Sequence, residues 1–135
     1  MSGAEPITIT DQDICRLSEL VSLYSDIESV AAESLQRELD RAVVVPLSRV
    51  ESSIVTMNSK LGCRDEDGTL REVCLVYPQH ADVSAGRISV LAPFGQALLG
   101  ARVGDRVEVV GRGRTRTWWI ESIRYQPEAA GDYHL

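Results

Sequence analysis

The hydrophobic pattern of the chain changes its period at Pro46. Before this proline, apolar residues recur every three or four positions, as on one face of a helix, whereas after Ser53 they alternate as in strands. Because proline has no backbone N–H and disfavours helix in the residue before it, a helical run ends here. The pattern predicts two parts, an N-terminal helical hairpin over 1–45 and a C-terminal domain over 46–135.

Residues 10 to about 43 are predicted to form two helices. Thr10 followed by Asp13 is typical of a capped helix start. The polar segment 24–29 separates two apolar stripes, Ile14, Leu17, Val21 and Tyr24 in the first helix and Ala31, Leu35, Leu39 and Ala42 in the second. Two amphipathic helices joined by a short turn should pair antiparallel, and arms of about four turns are roughly 20 Å long.

The second part is predicted to be a small α+β domain with about five strands and one short helix. Asp67-Gly68 suits a hairpin turn, and Pro93 suits the first position of a helix that Gly100 closes. Phe94, Ala97 and Leu98 of that helix should face the core. The predicted strands are Lys60–Arg64, Leu70–Tyr77, Ile88–Leu91, Arg106–Val110 and Thr115–Arg124.

Charge and cysteine content narrow the class of protein. The net charge of −6 repels a phosphate backbone, so strong direct nucleic-acid binding is not expected. No apolar run is long enough for a membrane span, and the N-terminus lacks the pattern of a secretory signal. Three widely spaced cysteines suit reduced thiols, two of them (Cys63 and Cys74) in strands. We therefore expect a cytoplasmic protein, and nothing in the sequence demands a dimer, so we expect a monomer.

The sequence offers no set of residues for catalysis. His80 and His134 are the only histidines, and neither has a cysteine or carboxylate at metal-ligand spacing. The segment 111–114 (GRGR) lacks the spacing and the Lys-Ser/Thr pair of a phosphate loop, and a hairpin turn explains it better. We therefore predict a binding protein that is not an enzyme, with no catalytic residue, no metal and no cofactor.

Two groups of side chains are candidates for contact with a partner. Arg112, Arg114 and Arg116 alternate along a strand, which is typical of a solvated edge, although such a row also suits an acidic partner. Trp118 and Trp119 are neighbours in a strand and must point to opposite faces. One should belong to the core, and the other is a candidate interface anchor.

Asp26 and Glu28 lie at the predicted tip of the hairpin. Two carboxylates at a solvated turn suit a divalent cation such as Mg²⁺. The simpler interpretation is structural, with Asp26 as the N-cap of the second helix.

Several motifs resemble known families. Residues 88–100 (ISVLAPFGQALLG) followed by 103–105 (VGD) resemble the C-terminal domain of bacterial Gre transcript-cleavage factors. Residues 55–59, 75–78 and above all 125–133 (YQPEAAGDY), with 38–42, resemble the regulator of nucleoside diphosphate kinase family, a relative of the Gre factors.

The resemblance implies an FKBP-like C-terminal domain with an antiparallel sheet of about five strands. It also implies an antiparallel coiled-coil N-terminus and binding near the secondary channel of RNA polymerase. In Gre factors a Ser-Pro segment before the short helix contacts the channel rim. Ala92 and Pro93 match it here, preceded by Leu91 in place of a polar residue. We expect partner contacts at Leu91, Ala92, Pro93 and Phe94, and at the hairpin tip.

The tip departs from the Gre pattern. Gre factors carry an Asp-x-x-Glu pair on a much longer coiled coil and deliver it to the catalytic Mg²⁺, whereas this chain has Asp26-x-Glu28 on short arms. The resemblance therefore implies a competitor that docks without stimulating cleavage. Two alternatives stay open, namely direct binding to nucleoside diphosphate kinase and peptidyl-prolyl isomerase activity, which the FKBP-like fold suggests only by analogy.

Overall fold

The computed structural model describes residues 6–111 and 113–135. Its first elements are strand β1 (Thr8–Thr10), helix α1 (Asp11–Tyr24), helix α2 (Ser29–Arg41) and strand β2 (Val43–Val45). The later elements are β3 (Lys60–Arg64), β4 (Leu70–Val76), β5 (Arg87–Ser89), α3 (Pro93–Leu98), β6 (Arg106–Gly111), β7 (Arg114–Tyr125) and α4 (Pro127–Ala130), with single 3-10 turns at Pro78–His80 and Val83–Ala85. The α+β class predicted from the period change is confirmed.

The two predicted helices are present, and a four-residue turn joins them. Thr10 is the N-cap of α1, because its hydroxyl accepts a hydrogen bond of 3.0 Å from the Asp13 backbone N–H. Both apolar stripes pack against the core, and Leu17, Val21, Leu35 and Leu39 are their buried members. Leu20 and Ala32, which the predicted stripes did not include, are buried as well. The coiled-coil character of this hairpin stays a prediction.

A small parallel sheet at the base of the hairpin was not predicted. The helix expected to reach residue 43 ends at Arg41, and Val43–Val45 form β2, which pairs with β1. Three consecutive β-branched residues favour a strand over a last helical turn. The start of this sheet lies against the turn that follows α3, since a Cβ added to Gly100 would come 2.5 Å from the Ile7 Cβ and 3.1 Å from the Thr8 carbonyl oxygen.

The C-terminal part contains a five-stranded sheet in the order β5-β4-β3-β7-β6. The number of strands agrees with the prediction, and β3 has the predicted bounds. The expectation of a wholly antiparallel sheet is wrong, because β4 and β5 pair in parallel. The two 3-10 turns between these strands form the crossover connection that a parallel pair requires. The FKBP likeness stays a prediction.

One hydrophobic core includes side chains from both parts of the chain. Leu17 and Leu35 of the hairpin belong to the same cluster as Leu61, Leu98 and Ile120 of the C-terminal part. The division at residue 45 stays a prediction. Within the described ranges, no helix is both long and apolar enough to span a bilayer.

Candidate functional site

The predicted rim segment, Leu91–Phe94, follows β5 and includes the first two residues of α3. Its first turn is held by Ser89, whose hydroxyl and carbonyl oxygens accept hydrogen bonds from the N–H groups of Leu91 (3.1 Å) and Ala92 (3.0 Å). Leu91 is buried, with 4% of its surface exposed, whereas Ala92 is half-buried and Pro93 is exposed. A partner can therefore reach Ala92 and Pro93 directly, while Leu91 supports the segment from within the core.

Close packing keeps the rim segment rigid. Pro93 occupies the first position of α3, as predicted. A Cβ on Gly95 would lie 1.9 Å from the Ser89 carbonyl oxygen, so only glycine lets the helix approach β5 this closely. The Phe94 ring stacks on Trp118 with centroids 4.8 Å apart. Phe94 and Leu98 pack into the core as expected, although Phe94 stays partly accessible.

Gln96 ties the rim segment to the hairpin. Its side-chain amide N–H groups donate to the carbonyl oxygens of Ala31 in α2 (3.0 Å) and Leu91 in the rim segment (3.2 Å). Its amide oxygen accepts a hydrogen bond of 2.7 Å from the Ser34 hydroxyl. The structure therefore links the rim segment to the first six residues of α2, the helix that follows the hairpin tip. No sequence pattern indicated this link.

The turn between the helices places both predicted carboxylates in solvent. Asp26 and Glu28 are exposed. Asp26 is not the N-cap of α2, contrary to the structural interpretation, because Glu28 occupies that position and no side chain caps the helix. Among residues 6–111 and 113–135, no group of three or more His, Cys, Asp or Glu side chains is arranged to hold a metal ion.

The tip also carries apolar side chains that the sequence interpretation did not single out, and one of them, Ile27, lies within the predicted polar segment 24–29. Leu23 is 72% exposed, Ile27 76% and Val30 80%. We call these three residues the tip patch. The sequence did contain a signal for this patch, since three large aliphatic residues occur among the eight positions from 23 to 30, around the predicted turn.

A buried polar cluster fastens the other end of the hairpin to the C-terminal part. Asp13 has no exposed surface, and its carboxylate accepts hydrogen bonds from the Met57 backbone N–H (3.1 Å) and from Arg16 (2.6 Å). The Arg16 guanidinium lies 5.5 Å from the centroid of the Tyr77 ring. Burial raises the pKa of Asp13, and the bonds from Arg16 and Met57 oppose this shift. The capping pattern drew attention to Asp13 but not to this role.

Glu128, in α4, belongs to the same buried region. Its carboxylate accepts a hydrogen bond of 2.7 Å from the Thr56 hydroxyl. Burial raises the pKa of Glu128, and the charge of Asp13 raises it further.

The tryptophans, arginines and cysteines considered in the sequence lie outside the rim segment and the hairpin tip. Trp118 is buried and Trp119 is 41% exposed, as their alternation in β7 predicted. Arg114 and Arg116 are exposed, and Arg112 lies outside the described residues. Cys63 is buried, which raises its pKa to about 12, but Cys15 is exposed.

His80 lines a groove of about 600 Å³ together with Lys60, Arg87 and the chain's C-terminal residue. Among the described residues, Tyr125 is the one Phe, Trp or Tyr side chain in its lining. The aromatic-lined pocket that the isomerase alternative requires is therefore not formed by this groove.

Two family models match successive parts of the chain. A family model described as "Rnk N-terminus" matches residues 5–45, and one described as "Transcription elongation factor, GreA/GreB, C-term" matches residues 50–125. The chain is 41% identical over 132 residues to a protein of Escherichia coli named regulator of nucleoside diphosphate kinase, and the match covers 96% of each chain.

More distant relatives are elongation factors. Transcription elongation factor GreA of Rhodospirillum rubrum is 32% identical over 94 residues, which are 69% of this chain and 60% of that protein. A solved structure of a GreA/GreB elongation factor from Nitrosomonas europaea superposes with a TM-score of 0.76 at 36% identity, covering 88% of this chain and 99% of that one.

Proposed function

This chain belongs to the regulator of nucleoside diphosphate kinase family, which is related to the Gre elongation factors, and on that basis we propose that it is a non-catalytic regulator of transcription. In this proposal it binds RNA polymerase near the secondary channel, as a cytoplasmic monomer. It competes there with Gre factors and does not stimulate transcript cleavage. Its effect on nucleoside diphosphate kinase then follows from transcription.

The observation that carries the proposal is the junction of rim segment and hairpin through Gln96. Ala92 and Pro93 are accessible, and the buried Leu91 and the Gly95–Ser89 contact hold them in place. A surface that is already rigid loses little conformational freedom on binding. The rim segment and α2, the helix that follows the hairpin tip, can therefore meet one partner as a unit.

The length of the hairpin supports competition without cleavage. Helix α1 has 14 residues and α2 has 13, so at 1.5 Å per residue each arm is about 20 Å long. Part of that length is packed into the core, since Leu17 and Leu39 have at most 4% of their surface exposed. An arm of this length occupies the entrance of a channel but falls short of a metal that longer coiled coils reach.

Competition on purified polymerase tests the proposal. We expect this protein to displace a Gre factor from the enzyme and to inhibit Gre-stimulated cleavage on a stalled complex, with no cleavage stimulation of its own. Substituting Pro93→Ala should weaken displacement, whereas Pro78→Ala, at the start of a 3-10 turn outside the rim segment, should not. Robust cleavage by the protein alone would refute the competitor mechanism.

The name of the Escherichia coli relative favours one second candidate, direct modulation of nucleoside diphosphate kinase. Parallel pull-downs with purified kinase and purified polymerase separate the two. Binding to the kinase alone would replace the proposal with this candidate.

A further inference from the structure

The end of the hairpin carries exposed apolar side chains, the tip patch (Leu23, Ile27 and Val30), besides its carboxylates. We infer that it docks into an apolar recess of the partner whose rim carries lysine or arginine side chains. The inference rests on the proposed function, because RNA polymerase supplies the recess.

The exposure of the tip patch is concentrated rather than scattered. In the described chain, five large apolar side chains are more than 70% exposed, namely Leu23, Ile27, Val30, Val83 and Val110. Three of these five lie within the eight residues from 23 to 30. Single exposed aliphatic residues are ordinary, but a concentration of them at the end of a hairpin is typical of an interaction site.

The charge around the tip patch has one sign. From Leu17 to Gln36 the sequence contains the carboxylates Glu19, Asp26, Glu28 and Glu33 and no lysine or arginine. A partner surface with cations around an apolar centre complements this arrangement. A neutral or acidic recess would leave carboxylates near the contact without partners, at a cost in desolvation.

The tip is ordered before any partner binds. The N–H groups of Ile27 and Glu28 donate to the Tyr24 carbonyl oxygen at 3.2 and 2.9 Å, and the Ala32 N–H donates to the Glu28 carbonyl oxygen at 2.9 Å. These bonds hold the turn between α1 and α2. Because the backbone under the patch is already in place, burial of its side chains contributes to affinity without a large ordering cost.

Kinetic binding measurements on immobilised RNA polymerase test the inference. We expect Ile27→Ser and Val30→Ser each to raise the Kd about tenfold, mainly through faster dissociation, since most interface substitutions act on the off-rate. Val30→Thr keeps the branched shape and should also weaken binding. Val83→Ser, at a residue 82% exposed in another part of the molecule, is the matched control and should leave the Kd unchanged.

The carboxylates should affect a different rate. Glu33→Gln should slow association and reduce its dependence on salt while changing dissociation little, because exposed charges steer encounter. Each variant's urea midpoint should equal that of the wild type, since the substituted side chains are exposed.

The outcomes separate the two proposals. If the wild type binds and the serine variants bind equally well, the tip-patch inference is overturned and polymerase docking stands. If the wild type does not bind polymerase, both are overturned. An association rate that rises when Glu33 is neutralised would overturn the cationic rim.

Discussion

Substituting Asp13→Ala should detach the hairpin base from the C-terminal part. The carboxylate is fully buried and joins two segments, because it accepts from Arg16 in its own helix and from the Met57 N–H, 44 residues away. The Thr10 cap should survive, since Thr10 accepts from the backbone of residue 13 and not from its side chain. The expected effect is thus on tertiary attachment more than on helix formation.

The loss of unfolding free energy in Asp13→Ala follows from the groups that lose their hydrogen-bond partner. Met57 has no exposed surface, and a buried N–H without an acceptor costs about 1–3 kcal/mol. The Arg16 side chain is 29% exposed and reaches water in part, so loss of its ion pair adds about 1 kcal/mol. Relief of carboxylate burial offsets some of this. We expect the free energy of unfolding to fall by about 1–3 kcal/mol in total.

Urea unfolding followed by circular dichroism measures this loss. With slopes of about 1–3 kcal/mol per M, typical of small proteins, a loss of about 2 kcal/mol lowers the midpoint by roughly 0.7–2 M. Asp13→Asn retains one acceptor and should lose about half as much. Glu19→Ala, at an exposed carboxylate of the same helix, should stay within about 0.5 kcal/mol of the wild type. If Asp13→Ala matches Glu19→Ala, the carboxylate does not hold the hairpin base.

Three further predictions concern other buried contacts. Gly95→Ala should destabilise the protein by about 1–3 kcal/mol in urea, although alanine favours helix, because its Cβ would overlap the Ser89 carbonyl; an unchanged midpoint would contradict the close approach. Glu128→Gln should flatten the pH dependence of stability. The pKa of Glu128 is raised in the folded state, so its carboxyl group stabilises the fold at a pH below its unfolded-state pKa. That contribution is lost as the pH rises through the folded-state pKa. Thermal melts from about pH 4 to 8 measure this, and parallel profiles of variant and wild type would exclude the effect. Gln96→Glu should destabilise more at pH 7 than at pH 4, because a carboxylate would replace the amide that donates to two carbonyls. Gln79→Glu, at an exposed residue outside this junction, is the comparison.

The elements predicted best are those whose signals are local. Alternation of apolar residues predicted the bounds of β3. The Asp67-Gly68 pair predicted the turn after it, where Gly68 has a φ of 82°. The start of α3 at Pro93 follows from the backbone preference of proline. Each signal involves residues within a few positions of one another, so one sequence is enough to detect it.

The elements predicted poorly depend on distant residues. β2 was assigned to the end of a helix because its partner, β1, lies 35 residues earlier in register. The parallel pairing of β4 with β5 was missed because apolar alternation does not specify strand direction. Asp26 was interpreted as a cap, although the observed turn places Glu28 there.

The sequence alone determined the class of the protein. The period change at Pro46 indicates helices followed by strands, and the motif around Pro93 identifies the family. Tertiary structure alone decided how these parts form a site. Gln96 meets Ala31 across 65 residues, Asp13 meets Met57 across 44, and burial of Leu91 leaves Pro93 exposed. Periodicity reports which face of an element is apolar, but contacts between distant faces arise only when the core closes around them.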